Sequence, residues 1–310
     1  MTDEQRGASA YWTPVVAAIG LFCILNLLWV LPSLELYNKF PHSIGVYLPT
    51  SLLCLVFLWR AGRNGLLTRN EAGLCLQGWT PWRRLLALGT TLFLGLGGYF
   101  TLQPPPEAPS ASATAQRSSA DATDVAAPTD SSPTPSAAAL EKKPTWGEYC
   151  FWFVFLLSAT ITELLVFGSI GFCLPEKFLR TRGWGAFPAA VAAALFAAIT
   201  FGLYHFTHEP RWWPYAIIPL VPVMLINLTV FAVTRNFWLT MLVHNSFAAV
   251  GFTQEQWTES LKESPSISMQ VSTYLNPDDP SLAYIVAAFI VPFLALHIVE
   301  ARAFRTKTAK

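Results

Sequence analysis

The sequence predicts an all-α fold, a polytopic transmembrane helical bundle of about eight spans, on three observations. Hydrophobic residues make up 53% of the 310 and charged residues only 13%, a balance outside that of soluble domains. Apolar runs of about 17 to 25 residues, the length that crosses roughly 30 Å of hydrocarbon, recur along the chain. Between them, Lys and Arg gather in alternate connections, as the positive-inside rule requires of a chain that threads a bilayer repeatedly.

Taken in order, the runs fall near 13–32, 44–60, 84–102, 149–173, 185–206, 212–234, 236–252 and 281–300. The first follows Met1–Gly7 with its single Arg6, is interrupted by Asn26 and lacks a small-residue exit. It is expected to stay as an anchor rather than leave as a signal peptide. Arg60, Arg63, Arg69, Arg83 and Arg84 lie between the second and third runs, Lys177, Arg180 and Arg182 between the fourth and fifth, and Arg235 between the sixth and seventh. Arg302, Arg305, Lys307 and Lys310 follow the eighth. The intervening connections carry Lys39, Arg211 and Lys262, the last among Glu255, Glu259, Glu263, Asp278 and Asp279. An even number of spans with both termini cytoplasmic preserves this alternation. The expected location is an integral membrane protein of the cell (inner) membrane.

Residues 104–145 are rich in Pro, Ala, Ser and Thr. They bury too little apolar surface to offset their ordering entropy and are expected to form a disordered linker. The linker divides a three-helix N-terminal membrane unit, 1–103, from a core at 146–252, which a loop and a C-terminal transmembrane helix follow at 253–310. A net charge of +1 removes the basic field that nucleic-acid binding needs, so the expected partners are the lipid bilayer and a membrane-associated protein or peptide. Cys23, Cys54, Cys75, Cys150 and Cys173 show no CxxC or finger spacing and read as packing residues.

Three ionisable residues sit inside apolar runs: Glu163 in 149–173, His205 in 185–206 and His244 in 236–252. Intramembrane charge is costly, and such residues by default mark a site. The turn Arg182-Gly-Trp-Gly185 joins the fourth and fifth runs as an antiparallel hairpin, and Glu163 and His205 lie equally far, 21 residues, from Trp184. At 1.5 Å per residue both stand about 31 Å from the turn, and a carboxylate facing an imidazole can hold and deprotonate a water. His244 lies only about eight residues into its run, so a shared depth requires the polar tip of the hairpin, 176–182, to project from the membrane.

Phe201-Gly-Leu-Tyr-His205 forms an FxxxH element, and Arg235-Asn-Phe-Trp-Leu-Thr-Met-Leu-Val-His244 leads into a second intramembrane histidine. In order and membrane placement these resemble the CPBP group of intramembrane proteases, which includes CAAX prenyl endopeptidases and bacteriocin-processing and immunity proteins. Its pattern is EExxxR, FxxxH and HxxxN on successive membrane helices. The resemblance covers roughly residues 147–252. In the preferred register Glu163 takes the first glutamate position, Leu164 stands at the second, Phe167 at the aromatic position and Gly168 in place of the Arg. In the other register Glu163 is the second glutamate, and Thr162 and Phe167 replace the first Glu and the Arg. Ala248 stands where the Asn is expected, with Asn245 beside His244.

The resemblance implies an endopeptidase in which Glu163 with His205 activates a water and His244 stabilises the oxyanion, a contribution of about 3 to 4 kcal/mol. Asn245, His208 and Phe201 are auxiliary candidates. No cofactor is required on this reading. His205 and His208 stand at i, i+3 without a third ligand and no HExxH is present, which makes zinc the weaker alternative. A reading of another class is a catalytically silent family member, acting as a membrane scaffold or immunity-type binding protein. The missing second Glu, Arg and Asn argue for it. A transporter path is disfavoured because no inverted repeat is visible.

Overall fold

Apolar runs of this length leave their backbone polar groups no partner but one another, and the helix is the local solution. A computed structural model describes residues 7–30, 43–74, 146–207, 217–263 and 281–303. Among them the elements are α1 (Ser9–Val30), a π-helical turn (Ser43–Tyr47) running into α2 (Leu48–Arg63), α3 (Trp146–Phe155), α4 (Leu157–Glu163), a π-helical stretch (Leu164–Ile170), α5 (Cys173–Thr181), α6 (Ala186–His205), α7 (Ile217–Thr234), α8 (Phe237–Glu263) and α9 (Ser281–Ala303). The fold is all-helical over these residues, apart from an isolated antiparallel bridge between Leu74 and Asn236. The expected span at 84–102 and the linker at 104–145 lie outside the described residues.

Among the described residues, four segments are long and apolar enough to cross a membrane: Ser9–Trp29, Ser43–Arg63, Leu157–Thr181 and Ala186–His205. Leu220–Thr234, Phe237–Val250 and Ala287–Val299 are apolar but shorter. The fourth expected span is shifted toward its C-terminal end. The helix breaks at Leu156, and the continuous rod then runs on to Thr181. Lys177 and Glu176 are accommodated in it because each meets an opposite charge. The seventh run continues as helix to Glu263, since Thr253-Gln-Glu-Gln-Trp-Thr-Glu-Ser-Leu-Lys-Glu263 contains no Gly or Pro to stop it.

The rod Leu157–Thr181 is the centre of the bundle. Within its apolar window 94% of the residues are buried, against 22% to 39% in the other three spans. Its two halves together contact α1, α2, α6, α8 and α9. Tyr11 and Phe22 of α1, Leu58 of α2, Phe167 of the rod, Phe201 of α6 and Phe237 of α8 belong to one hydrophobic core. The front helices therefore pack directly on the helix that carries Glu163. A hydrogen bond between Ser51 and Thr162 hydroxyls at 2.8 Å ties α2 to α4.

Three connections meet at one end of the bundle. Thr68 and Glu71 bond reciprocally, Thr68 N–H to Glu71 Oε2 at 2.8 Å and Glu71 N–H to Thr68 Oγ1 at 3.2 Å, the capping-box arrangement that T-x-x-E encodes. Glu71 then pairs with Lys177 at 2.8 Å. Arg235, on the turn between α7 and α8, grips buried Glu176 through both guanidinium arms, at 2.7 and 2.6 Å. The hairpin tip expected to project outward is thus clamped against its neighbours by opposite charges. Gly73 has φ 72 and accepts Phe237 N–H at 2.8 Å; a Cβ there would lie 2.6 Å from Phe231 Cζ, so only glycine fits. Gly183, at φ 83, closes α5: its N–H reaches Arg180 O at 3.1 Å and Trp184 N–H reaches Leu179 O at 3.1 Å, a Schellman ending that delivers the turn read from the sequence.

Candidate functional site

Glu163 ends α4, immediately before the π-helical stretch, and is 9% exposed. A buried carboxylate needs donors on its oxygens to remain, and other helices supply them. Tyr204 of α6 donates its hydroxyl to Oε1 at 3.0 Å. His244 of α8 lies with Nε2 2.8 Å from Oε2. Behind it, Asn227 of α7 places Nδ2 2.9 Å from His244 Nδ1 and also donates to Val223 O at 2.9 Å. Four elements converge on one acid.

The donors are held by packing. Phe22 of α1 stacks on Tyr204 with ring centroids 4.5 Å apart and planes 22° from parallel, and Phe167 packs 5.6 Å from the same ring. Phe201 sits against both imidazoles, 4.6 Å from His205 and 5.8 Å from His244 between centroids. Phe201 is therefore a spacer between the histidines.

The expectation from the sequence is that Glu163 and His205 face one another and hold a water. The residue of α6 that bonds the carboxylate is Tyr204, one position earlier and so about 100° around the helix. His205 instead donates Nδ1–H to Phe201 O at 2.9 Å. It nonetheless lies within electrostatic range of both Glu163 and His244, so the three ionisable residues share one neighbourhood. His244, expected as an oxyanion donor, has its Nε2 on Glu163 in this arrangement.

No family model, curated protein or solved structure matches the chain. What the site can do follows from its own geometry. A carboxylate bearing two donors, one of them an imidazole fixed from behind, can accept a proton at a defined place in a poorly hydrated setting. Among the described residues no group of three His, Cys, Asp or Glu gathers as a metal-ligand set.

Asn245, an auxiliary candidate, bonds to residues other than Glu163 and His244. It accepts Thr160 Oγ1–H at 2.8 Å and donates to Phe153 O at 2.7 Å, binding α8 to α3 and α4. Its position next to His244 turns it away from Glu163. His208 lies outside the described residues. Tyr204 and Asn227 escaped sequence reasoning. The signal for Asn227 was present, a lone amide in the apolar run Val221-Pro-Val-Met-Leu-Ile-Asn-Leu228, of the kind that bonds between membrane helices.

Proposed function

We propose that this chain is an integral membrane endopeptidase of the CPBP type, hydrolysing a peptide bond of a membrane-associated protein or peptide. The observation that carries the reading is the buried Glu163 carboxylate at the bundle centre, with His244 on one oxygen at 2.8 Å and Tyr204 on the other at 3.0 Å. Each carboxylate oxygen retains a second lone pair. Glu163 takes a proton from water as the water oxygen attacks the scissile carbonyl carbon. It returns that proton to the amine nitrogen when the carbon–nitrogen bond breaks. His205, against Phe201 and within electrostatic range of Glu163, shares the activation of the water with Glu163, and His244 aims the base. No step requires a cofactor.

The same proposal has eight spans, both termini in the cytoplasm and the cell (inner) membrane as its site. It is supported by the meeting of Arg69, Lys177 and Arg235 connections at one end of the bundle, which the positive-inside rule assigns to the cytoplasm.

One observation favours a second reading. Both oxygens of Glu163 are already engaged and Asn245 is committed to Thr160 and Phe153, as in a catalytically silent scaffold or immunity-type binding protein. Purified protein in lipid nanodiscs, offered a library of internally quenched peptides, separates the two. Cleavage that disappears in Glu163→Gln and His205→Ala supports the enzyme. Cleavage that survives in both, or none by the wild type, transfers the site to the scaffold.

A further inference from the structure

We infer that Asn227 is a positioning residue which holds His244 in its Nε2–H tautomer and so directs it onto Glu163; this rests on the reading of Glu163 as the base. The amide of Asn227 is fully buried. Its Nδ2 serves two acceptors, Val223 O and His244 Nδ1, each at 2.9 Å, while Oδ1 is buried without a hydrogen-bond partner among the described residues. Rotating the amide by half a turn would bring Oδ1 against the Val223 carbonyl, two acceptors facing one another, and lose that bond. The orientation is therefore dictated by the backbone of α7 one turn earlier.

The chemistry of His244 follows. An amide N–H on Nδ1 requires a lone pair there, so in the neutral ring the proton resides on Nε2, 2.8 Å from Glu163 Oε2. The imidazole donates, and the carboxylate remains an acceptor able to take up a proton. His205 is set the opposite way: its Nδ1–H is given to Phe201 O, which leaves the Nε2 lone pair. Two histidines of one site are thus fixed in opposite tautomers, one by Asn227 and one by the backbone of its own helix. A purely structural amide would bridge helices without regard to which nitrogen of its neighbour carries the proton.

The test is nitrogen NMR of full-length protein labelled with 15N-histidine in lipid nanodiscs at neutral pH, the His244 signals being assigned by their loss in His244→Gln. The wild type is expected to show Nδ1 unprotonated and Nε2 protonated. In Asn227→Asp a carboxylate replaces the amide donor, and His244 is expected to become protonated on both nitrogens. In Asn227→Leu the preference for one tautomer is expected to vanish. Protonated Nδ1 in the wild type overturns the proposal, as does an unchanged pattern in a folded Asn227→Leu; the wild-type spectrum decides even if both variants fail to fold. Where wild-type cleavage is measurable, Asn227→Leu is expected to lower kcat by about 10²- to 10⁴-fold, the upper figure being the cost of a wrong tautomer in a related relay, with KM little changed. The expected tautomers without any cleavage would refute the enzyme reading and leave the relay standing.

Discussion

Removing the guanidinium of Arg235 is expected to cost about 3 kcal/mol of folding stability. Its two arms reach Glu176 at 2.7 and 2.6 Å, and the side chains are 21% and 6% exposed. Breaking such a pair by deleting one partner strands a buried charge, at about 3 to 5 kcal/mol. The lower end applies because Arg180 stands 3.9 Å from Glu176 and retains part of the attraction. Arg235 also has φ 48, a conformation that costs a residue with a Cβ about 1 to 2 kcal/mol. Arg235→Ala keeps that strain and Arg235→Gly relieves it, so the glycine variant is expected to be more stable than the alanine variant by about 1 kcal/mol. Adding Glu176→Gln to Arg235→Ala should recover stability, since an amide needs no counter-charge. The assay is reversible unfolding in mixed micelles followed by tryptophan fluorescence. A loss below about 0.5 kcal/mol in Arg235→Ala, the scale of an ordinary surface change, or a glycine variant weaker than the alanine variant, would refute the reasoning.

Acid should loosen the same end of the molecule. Burial opposes ionisation of Glu71, but its bonds to Lys177 and Thr68 outweigh burial and hold its pKa below the ordinary carboxylate value. A depressed folded pKa means stability that is full above the unfolded value and lost as pH falls through the folded one. Unfolding midpoints measured between about pH 5 and pH 3 should decline in the wild type and decline less in Glu71→Gln. Asn245→Ala should remove two interhelical bonds and about 1 to 2 kcal/mol of stability, read in the same micelle assay, while peptide cleavage stays within a few-fold; abolished cleavage in a folded variant would return Asn245 to the site.

The sequence made the helices legible because bilayer-length apolar runs leave few alternatives. α6 begins and ends within one residue of its expected run, bounded by the Gly183 ending and its polar exit. The break at Leu156 and the π-helical stretch were not legible, since Leu, Val and Phe there carry no local stop signal and the wide turns answer to packing around the rod. Ionisable character located Glu163, His205 and His244, but could not say which pair would touch. A one-residue step on α6 decides between His205 and Tyr204. Asn245 and Asn227 are both lone amides in apolar helices, and only the three-dimensional arrangement tells that the first staples and the second orients.

The wide turns just after Glu163 carry a further consequence. Gly171 N–H reaches back five residues to Val166 O at 2.7 Å, so the rod there holds more residues per turn than an α-helix. Deleting one residue between Leu164 and Ile170 would let the coil regularise and leave the carboxylate near its present azimuth, because the wide turns already hold the surplus residue. Deleting one from residues 173–175 of ordinary helix would instead turn the part before it by about 100° and slide it by about 1.5 Å relative to the part after it. With the far end pinned by Arg235, the carboxylate would swing away from Tyr204 and His244. The azimuth of the acid is stored as a residue count, and the wide turns are the one place in the rod where a lost codon can be absorbed.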